Sequence, residues 1–469
     1  MKDRNELLFS RKQIAMIIAP LILQGILSIA IGLVDSMMVS NKGEAAFAGV
    51  SLVGSLDTLL ITLFTALTSG GSVVLAQAIG RGDQKRSCEA AKQLWYATTA
   101  VATVITVTVV LLRRPLLHLL FGEVEDSVMQ NALAYFFFVA LSFPFLAMEN
   151  SVSATFRAQG DSMISLKISL FMNVLNIIGN AILIYGADLG AAGAAIATLL
   201  SRIVGAVLMT AIAHNQKRLI FLERLFHYKP DFGIIKDILR IGVPNGVENS
   251  IFQFGRLITQ SLVSNLGTMA IAANAAALSL ANLQYTTGGS IQSTMVTVVG
   301  RCVGAKKRDQ AKYYAKSLLG IGYAVIGGVI VLMCVFSLPL LRLFGLPTES
   351  TGLAQQLLFY HSAVSILIWP VAFCLPNAFR AANDVRFSMV VSTVSMWVFR
   401  VALGYVLALE TVSVFGLFSF AGAGMGVMGV WVAMTVDWVA RTVLFLWRFI
   451  SEKWLAKYDA KNRETPQTE

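Results

Sequence analysis

Residues 14–40 read IAMIIAPLILQGILSIAIGLVDSMMVS, a stretch in which Asp35 is the single charged side chain. An α-helix rises 1.5 Å per residue, so about 20 apolar residues cross the roughly 30 Å hydrocarbon layer of a bilayer. The stretch therefore reads as a membrane-spanning helix. A carboxylate at that depth costs about 2.5–3.5 kcal/mol on insertion scales, and such residues face a protein interior or a wet cavity where they handle ions or protons. Asp35 is the first candidate for that work, and the next apolar stretch carries Asp57. Lys2, Arg4, Arg11 and Lys12 precede the stretch as they would a signal peptide. Its length, Asp35 within it and the lack of a convincing cleavage site argue for a retained helix.

The composition extends this reading to the whole chain. With 469 residues, 56% hydrophobic and only 13% charged, and a mean hydropathy of +0.70, there are too few polar side chains to coat a soluble globule. Apolar runs between charged or Gly/Pro-marked breaks predict twelve spans, at about 14–40, 45–70, 94–112, 131–153, 167–185, 190–212, 240–264, 270–298, 317–338, 355–378, 388–409 and 424–447. About 30 of the 37 Lys and Arg fall on one side of these spans, with Lys42, Arg113, Arg114 and Arg342 opposite and Arg202, Arg256 and Arg400 inside. The bias predicts a multi-pass protein of the cell membrane with both termini cytoplasmic.

The net charge of +11 then belongs to loops that meet anionic headgroups, and a nucleic-acid partner is poorly supported. Cys88, Cys302, Cys334 and Cys374 lack metal-like spacing and read as reduced packing residues. His118, His214 and His227 read as loop residues, and His361, at the start of the tenth span, as solvated or capping.

The chain repeats itself. A shift of 224 positions lays Pro20 on Pro244, Ser40-Asn41 on Ser264-Asn265, Gly80 on Gly304 and Pro115-Leu116-Leu117 on Pro339-Leu340-Leu341. The shift becomes 223 for Phe156-Arg157-Ala158 on Phe379-Arg380-Ala381, then 236 for the GxxG of Gly190 and Gly193 on Gly426 and Gly429, the added residues fitting the Gly/Phe-rich stretch 410–424. Six spans per repeat is an even number, so the halves are parallel, related by an axis along the membrane normal. The expected organisation is an all-α membrane protein with an N-terminal six-helix lobe at 1–213, a cytoplasmic linker at 214–239, a C-terminal six-helix lobe at 240–447 and a cytoplasmic tail at 448–469. Halves that rock about an intervening substrate route are the usual use of such a design.

The sequence also resembles a family, the bacterial type of multidrug and toxic compound extrusion (MATE) transporters. The residues that carry the likeness are VDSMMVSN in the first span, AQAIGRGD after the second, FRAQGDS after the fourth, NVLNIIGNAILIYG in the fifth and GAAGAAIAT opening the sixth, with the echoes VGRCVGAKK and FRAANDV. The resemblance implies two lobes forming a V-shaped cleft and secondary active export of organic, cationic or amphipathic compounds against inward H⁺ or Na⁺. No cofactor beyond the coupling ion is expected. The expected partners are small organic substrates and membrane lipids, the state monomeric. In such transporters a cation or proton site is built from an Asp, an Asn, an Asp and a Thr at what are here Asp35, Asn176, Asn180 and Thr198. Asn at 180 departs from that pattern and removes one formal charge, which weakens the case for Na⁺ and for a paired-carboxylate proton site.

The residues support the same face independently. Gln24, Ser28 and Asp35 share one helical stripe, and Asn173, Asn176 and Asn180 recur at i, i+3 and i+7. Amides supply carbonyl ligands to a cation and hydrogen bonds to a carboxylate. Asp57, Gln24 and Asn173, with Glu248, Gln253, Arg256, Arg400 and Asp437 in the second half, are candidates to line the substrate cleft. Intramembrane acids and bases also neutralise each other, so Glu248 or Asp437 paired with Arg256 or Arg400 would equally lock the C-terminal lobe. A nucleotide-driven pump would need a GxxxxGK[ST] loop, and an intramembrane enzyme HExxH, GxSxG or paired acids at helical spacing. The sequence has neither. A lipid-linked oligosaccharide flippase of the same superfamily is the nearest rival, set apart here by twelve spans and acids in the first half.

Overall fold

The computed structural model describes residues 7–122, 124–223, 225, 229–414 and 418–456. Lys2, Arg4, Arg224, His227 and the tail from 457 onward lie outside the described residues. Twelve long helices carry the fold: α1 (Arg11–Ser40), α2 (Glu44–Gly80), α3 (Gln84–Phe121), α4 (Asp126–Gln159), α5 (Ser162–Gly186), α6 (Gly190–Ala213), α7 (Phe232–Ser264), α8 (Thr268–Gly304), α9 (Arg308–Val335), α10 (Thr348–Ala381), α11 (Val385–Ala408) and α12 (Gly426–Ile450). Ten are long and apolar enough to cross a membrane. The others, α7 and α8, are long enough but richer in polar side chains. Those of α8, among them Asn274, Gln284, Thr287, Ser290, Thr294 and Thr297, are buried inside the protein, as polar groups at membrane depth must be.

Several helices outrun the predicted spans because their polar ends stay helical beyond the apolar core. α3 begins well before position 94, capped by the Asp83 carboxylate, which accepts from the Arg86 N–H at 2.8 Å. Large apolar side chains face outward along the helices, Leu119 at 84% exposure for example, the arrangement expected of a surface solvated by lipid.

The internal repeat holds to the residue at the helix ends. Glu44 and Gly80 bound α2, and their repeat equivalents Thr268 and Gly304 bound α8. α11 starts at Val385, the equivalent of Ser162 in α5, and α12 starts at Gly426, the equivalent of Gly190 in α6. The GxxG pair explains why the last register survives. Gly190 and Gly426 adopt φ of +52° and +60°, a conformation that costs other residues. A Cβ on Gly193 would lie 2.9 Å from Leu183 C, and one on Gly429 would lie 2.6 Å from the C atom of Leu407, in the fifth helix of the second half. In both halves a glycine lets the sixth helix touch the backbone of the fifth.

By contacts the chain forms two compact units, Met1–Gly246 and Val247–Glu469. The division falls inside α7, whose first residues overlap the end of the expected linker 214–239. The start of α7 is bound to the first unit: a Cβ on Gly70 would stand 2.5 Å from Ile238 O and 2.7 Å from Gly242 N. Within the first unit, Val53 and Phe64 of α2, Ala102 of α3, and Phe136 and Phe143 of α4 form a buried cluster, with the Phe64 and Phe143 rings 5.8 Å apart. In lipid such helices gain from close packing, since lipid tails are as apolar as the side chains they replace.

The second unit is organised around aromatic rings. Trp369 stacks on Tyr285 at 6.0 Å and on Phe373 at 5.0 Å, in space left by Gly288. His361 belongs to this cluster and is 1% exposed, its Nε2 2.9 Å from the Tyr285 hydroxyl. The expected solvated or capping role is thereby corrected. Because α10 begins at Thr348, His361 lies well inside the helix and not at its start. Cys302 and Cys374 are fully buried, while Cys88 and Cys334 are half-buried; all four cysteines are unpaired.

Three helices widen into π-type turns, at Ala181–Gly186 in α5, Pro370–Cys374 in α10 and Met396–Ala402 in α11. Pro370 explains one of them, because it has no N–H for the regular ladder. The Gly/Phe-rich stretch 410–424 holds a small antiparallel strand pair, β1 (Thr411–Val414) with β2 (Phe418–Ala421), registered Val412 to Phe420. Its β-branched and aromatic residues favour strand, an addition to the all-helical expectation.

Candidate functional site

Asp35 lies late in α1, half-buried, and faces α5. Asn180 Nδ2 donates to Asp35 Oδ1 at 2.7 Å. Asn176, one turn earlier, satisfies all its neighbours when its nitrogen points at Asp35. It then donates to Oδ1 and Oδ2 at 3.1 and 3.2 Å, and its carbonyl accepts from the Thr198 N–H at 3.2 Å and the Thr198 hydroxyl at 3.3 Å. The opposite setting would have it accept from Asn180 and donate to Thr198, both at 3.3 Å. Amide oxygen and nitrogen are distinguished only by such networks. A carboxylate is acceptor-only, so the setting that turns both amide nitrogens toward Asp35 is the coherent one.

Local sequence brings these groups together. Gly179 lets α5 approach α6, its Cβ position lying 3.0 Å from Ala197 Cβ, and this puts Asn176 beside Thr198. Beyond the site the Tyr185 hydroxyl donates to Met38 O at 3.1 Å and accepts from Asn41 Nδ2 at 3.3 Å, tying α1 to α5. Lys42 pairs with Asp188 at 2.5 Å and holds that carboxyl below the usual carboxylate range. Asn180 is 1% exposed, and its Oδ1 has no hydrogen-bond partner. That oxygen and the Asp35 carboxylate are the groups of this site able to hold a cation.

The other first-half candidates divide. Asn173 is half-buried, its Nδ2 unpartnered and outside the network. Gln24 is half-buried and Ser28 spends its hydroxyl on the Gln24 carbonyl at 2.9 Å. Asp57 faces Arg202 at 3.6 Å, and Arg202 also donates to Ser142 at 2.7 Å, so this acid joins α2, α6 and α4. Arg202 was visible only as a base within a span.

The second-half residues form a cluster of their own, with partners the sequence did not assign. Glu248 pairs with Arg380 at 2.8 Å, not with Arg256 or Arg400. Arg380 also donates to Asn377 at 3.0 Å. Asp437 is 0% exposed, accepts from Ser395 at 2.6 Å and Arg441 at 2.7 Å, and lies 3.3 Å from Arg400. The expected Asp437–Arg400 pair is thus present, joined by Arg441 from the next turn of α12. Arg256 is exposed, and among the described residues neither it nor the half-buried Gln253 enters these ion pairs. Arg380 was read as a loop residue because the predicted span stops at 378, although α10 continues through Ala381.

Paired six-helix repeats of membrane-spanning length, with buried polar sites in both halves, fit a polytopic membrane transporter. The sequence model of the MatE family matches residues 20–182 and again 244–406, the two segments offset by the same shift as the repeat, and the chain belongs to this family. It is 25% identical over 447 residues to the uncharacterized transporter YisQ of Bacillus subtilis, covering 93% of this chain and 94% of that protein. It is 26% identical over 465 residues to the probable multidrug resistance protein NorM of Thermotoga maritima, covering 95% and 93%. Among solved structures, an outward-facing multidrug resistance MATE transporter of the MOP superfamily superposes with TM-score 0.85 at 20% identity, over 95% of this chain and 96% of the other. A MATE structure in a bent conformation gives 0.84 at 21%, over 96% and 97%. At these identities the structures show a shared fold.

Proposed function

We propose that this transporter exports organic cationic or amphipathic compounds in exchange for H⁺ or Na⁺, with Asp35 as the coupling residue. The observation that carries the reading is the Asp35 carboxylate held by Asn180 and Asn176 across α1, α5 and α6. Ionised Asp35 accepts from both amides. Protonation at Oδ2, or a cation bound there, displaces the Asn176 hydrogen bond to that oxygen and weakens the pull of the carboxyl on both amides, so ion occupancy changes how tightly α1 is fastened to α5. A carboxylate whose bonds depend on its charge is a two-state element of the kind coupling requires.

Asn173 and Gln24 supply further half-buried polar groups in the first unit, while Asp57 is balanced by Arg202. The names of NorM-type relatives, probable multidrug resistance proteins, support the export of drug-like compounds. The positive bias of alternate loops supports cytoplasmic termini. Dye efflux from proteoliposomes, under an imposed H⁺ gradient and a Na⁺ gradient applied separately, tests the proposal. Efflux driven by one gradient and lost in Asp35→Asn is expected. Efflux independent of both gradients, or indifferent to Asp35, overturns it.

A further inference from the structure

The ion pairs of the second unit do not balance. Arg380 and Glu248 match one to one at 2.8 Å, but Arg400 and Arg441 share the single carboxylate of Asp437. Arg400 and Arg441 are 6% and 2% exposed, so one formal positive charge is left among groups withdrawn from solvent. An uncompensated buried ion is strongly unfavourable. The rings of Phe252, Phe373 and Trp438, 5.1–5.9 Å from these guanidinium groups, offset only part of that charge. The Nε atom of Arg380 is buried without a hydrogen-bond acceptor, and that of Arg400 lies 3.3 Å from Asp437 Oδ2 without forming a hydrogen bond.

Beside these groups lies a cavity of about 110 Å³, lined among others by Glu248, Phe252, Gln292, Arg380, Ser392 and Arg441. A water's share of liquid is about 30 Å³, so the space has room for a small ion together with a few waters. Arginine forks match halides and, in bidentate fashion, carboxylates. We propose that this cavity, lined by α7, α8, α10, α11 and α12, binds one small monovalent anion, a halide or a short carboxylate, which completes the charge balance of the arginine cluster. Glu248 on the same wall is neutralised by Arg380 and limits the occupant to a single charge. The proposal does not depend on the role of Asp35.

The test uses the purified full chain in detergent with gluconate as the bulk anion, measuring equilibrium binding of radiolabelled chloride at constant ionic strength and competition by acetate. One saturable chloride per chain is expected. Competition by acetate extends the site to carboxylates, and its absence confines it to halides. Arg441→Gln leaves Arg400 and Asp437 matched one to one, so binding weakens by at least about tenfold. Glu248→Gln adds a positive charge to the cavity wall and tightens binding, which keeps the test decisive should Arg441→Gln fail to fold. Absence of saturable binding of either anion to the unmutated protein overturns the proposal, as does chloride affinity unchanged in Glu248→Gln.

Discussion

Asn180 Nδ2 donates to Asp35 Oδ1 across 2.7 Å, joining two positions far apart in sequence, one on α5 and one on α1. The bond requires Asp35 to be an acceptor, which makes its charge the property to remove. Asp35→Asn keeps the size of the side chain and leaves expression near wild-type levels, but abolishes gradient-driven efflux. Transport assays in proteoliposomes check this against protein yield. Wild-type efflux with intact ion dependence would remove Asp35 from the mechanism.

Asn180→Asp places a second carboxylate against the first. Two ionised carboxylates at this separation repel, so the pair must share a proton or hold a cation between them. Ion dependence should move toward Na⁺, or the pH at which export fails should rise. Efflux titrated against pH and against Na⁺ distinguishes the two. An unchanged profile would place the ion site elsewhere.

These two positions were legible because helical spacing puts Asn176 and Asn180 on one face and one turn apart, and because Asp35 is isolated in apolar sequence. The cluster of the second unit was only half legible. Asp437 and Arg441 are i, i+4 on α12, a spacing open to direct reading, yet Arg441 was counted with the cytoplasmic charges. Glu248 and Arg380 lie on helices well separated along the chain, α7 and α10, and sequence gives their depth without their neighbours. The wide turns at 370–374 and 396–402 add rotation that regular helical spacing does not predict, changing which side chains converge. The helix ends were readable closely in α6 and less so in α3 and α10, where helix persists past the apolar core.

The glycine contacts make a stability prediction. Gly429 meets the backbone of Leu407 with no space for a side chain. Gly429→Leu should push α12 off α11 and destabilise the protein by about 1–3 kcal/mol, with more if the backbone cannot yield. A matched Gly328→Leu, where a Cβ meets nothing within 4 Å, should be close to neutral. Thermal unfolding in detergent compares them, and equal loss in both would remove the close approach as the cause.

A last prediction concerns acid stability at the end of α12. Glu452 accepts from Lys312 and pairs with Arg308 at 2.8 Å, fastening the residues after α12 to the start of α9. The hydrogen bond from Lys312 holds the Glu452 carboxyl below its usual value. A carboxyl with a depressed folded-state pKa contributes stability that is present above its unfolded value, about 4.3, and is lost as pH falls through the folded value. Glu452→Gln should therefore lower the unfolding temperature slightly at neutral pH, the effect being small because the group is solvent-exposed. The difference from wild type should shrink as pH drops below the ordinary carboxylate range. Unfolding temperatures of both proteins across an acid pH series check this, and a gap that stays constant with pH would show that Glu452 acts through packing and not through its charge.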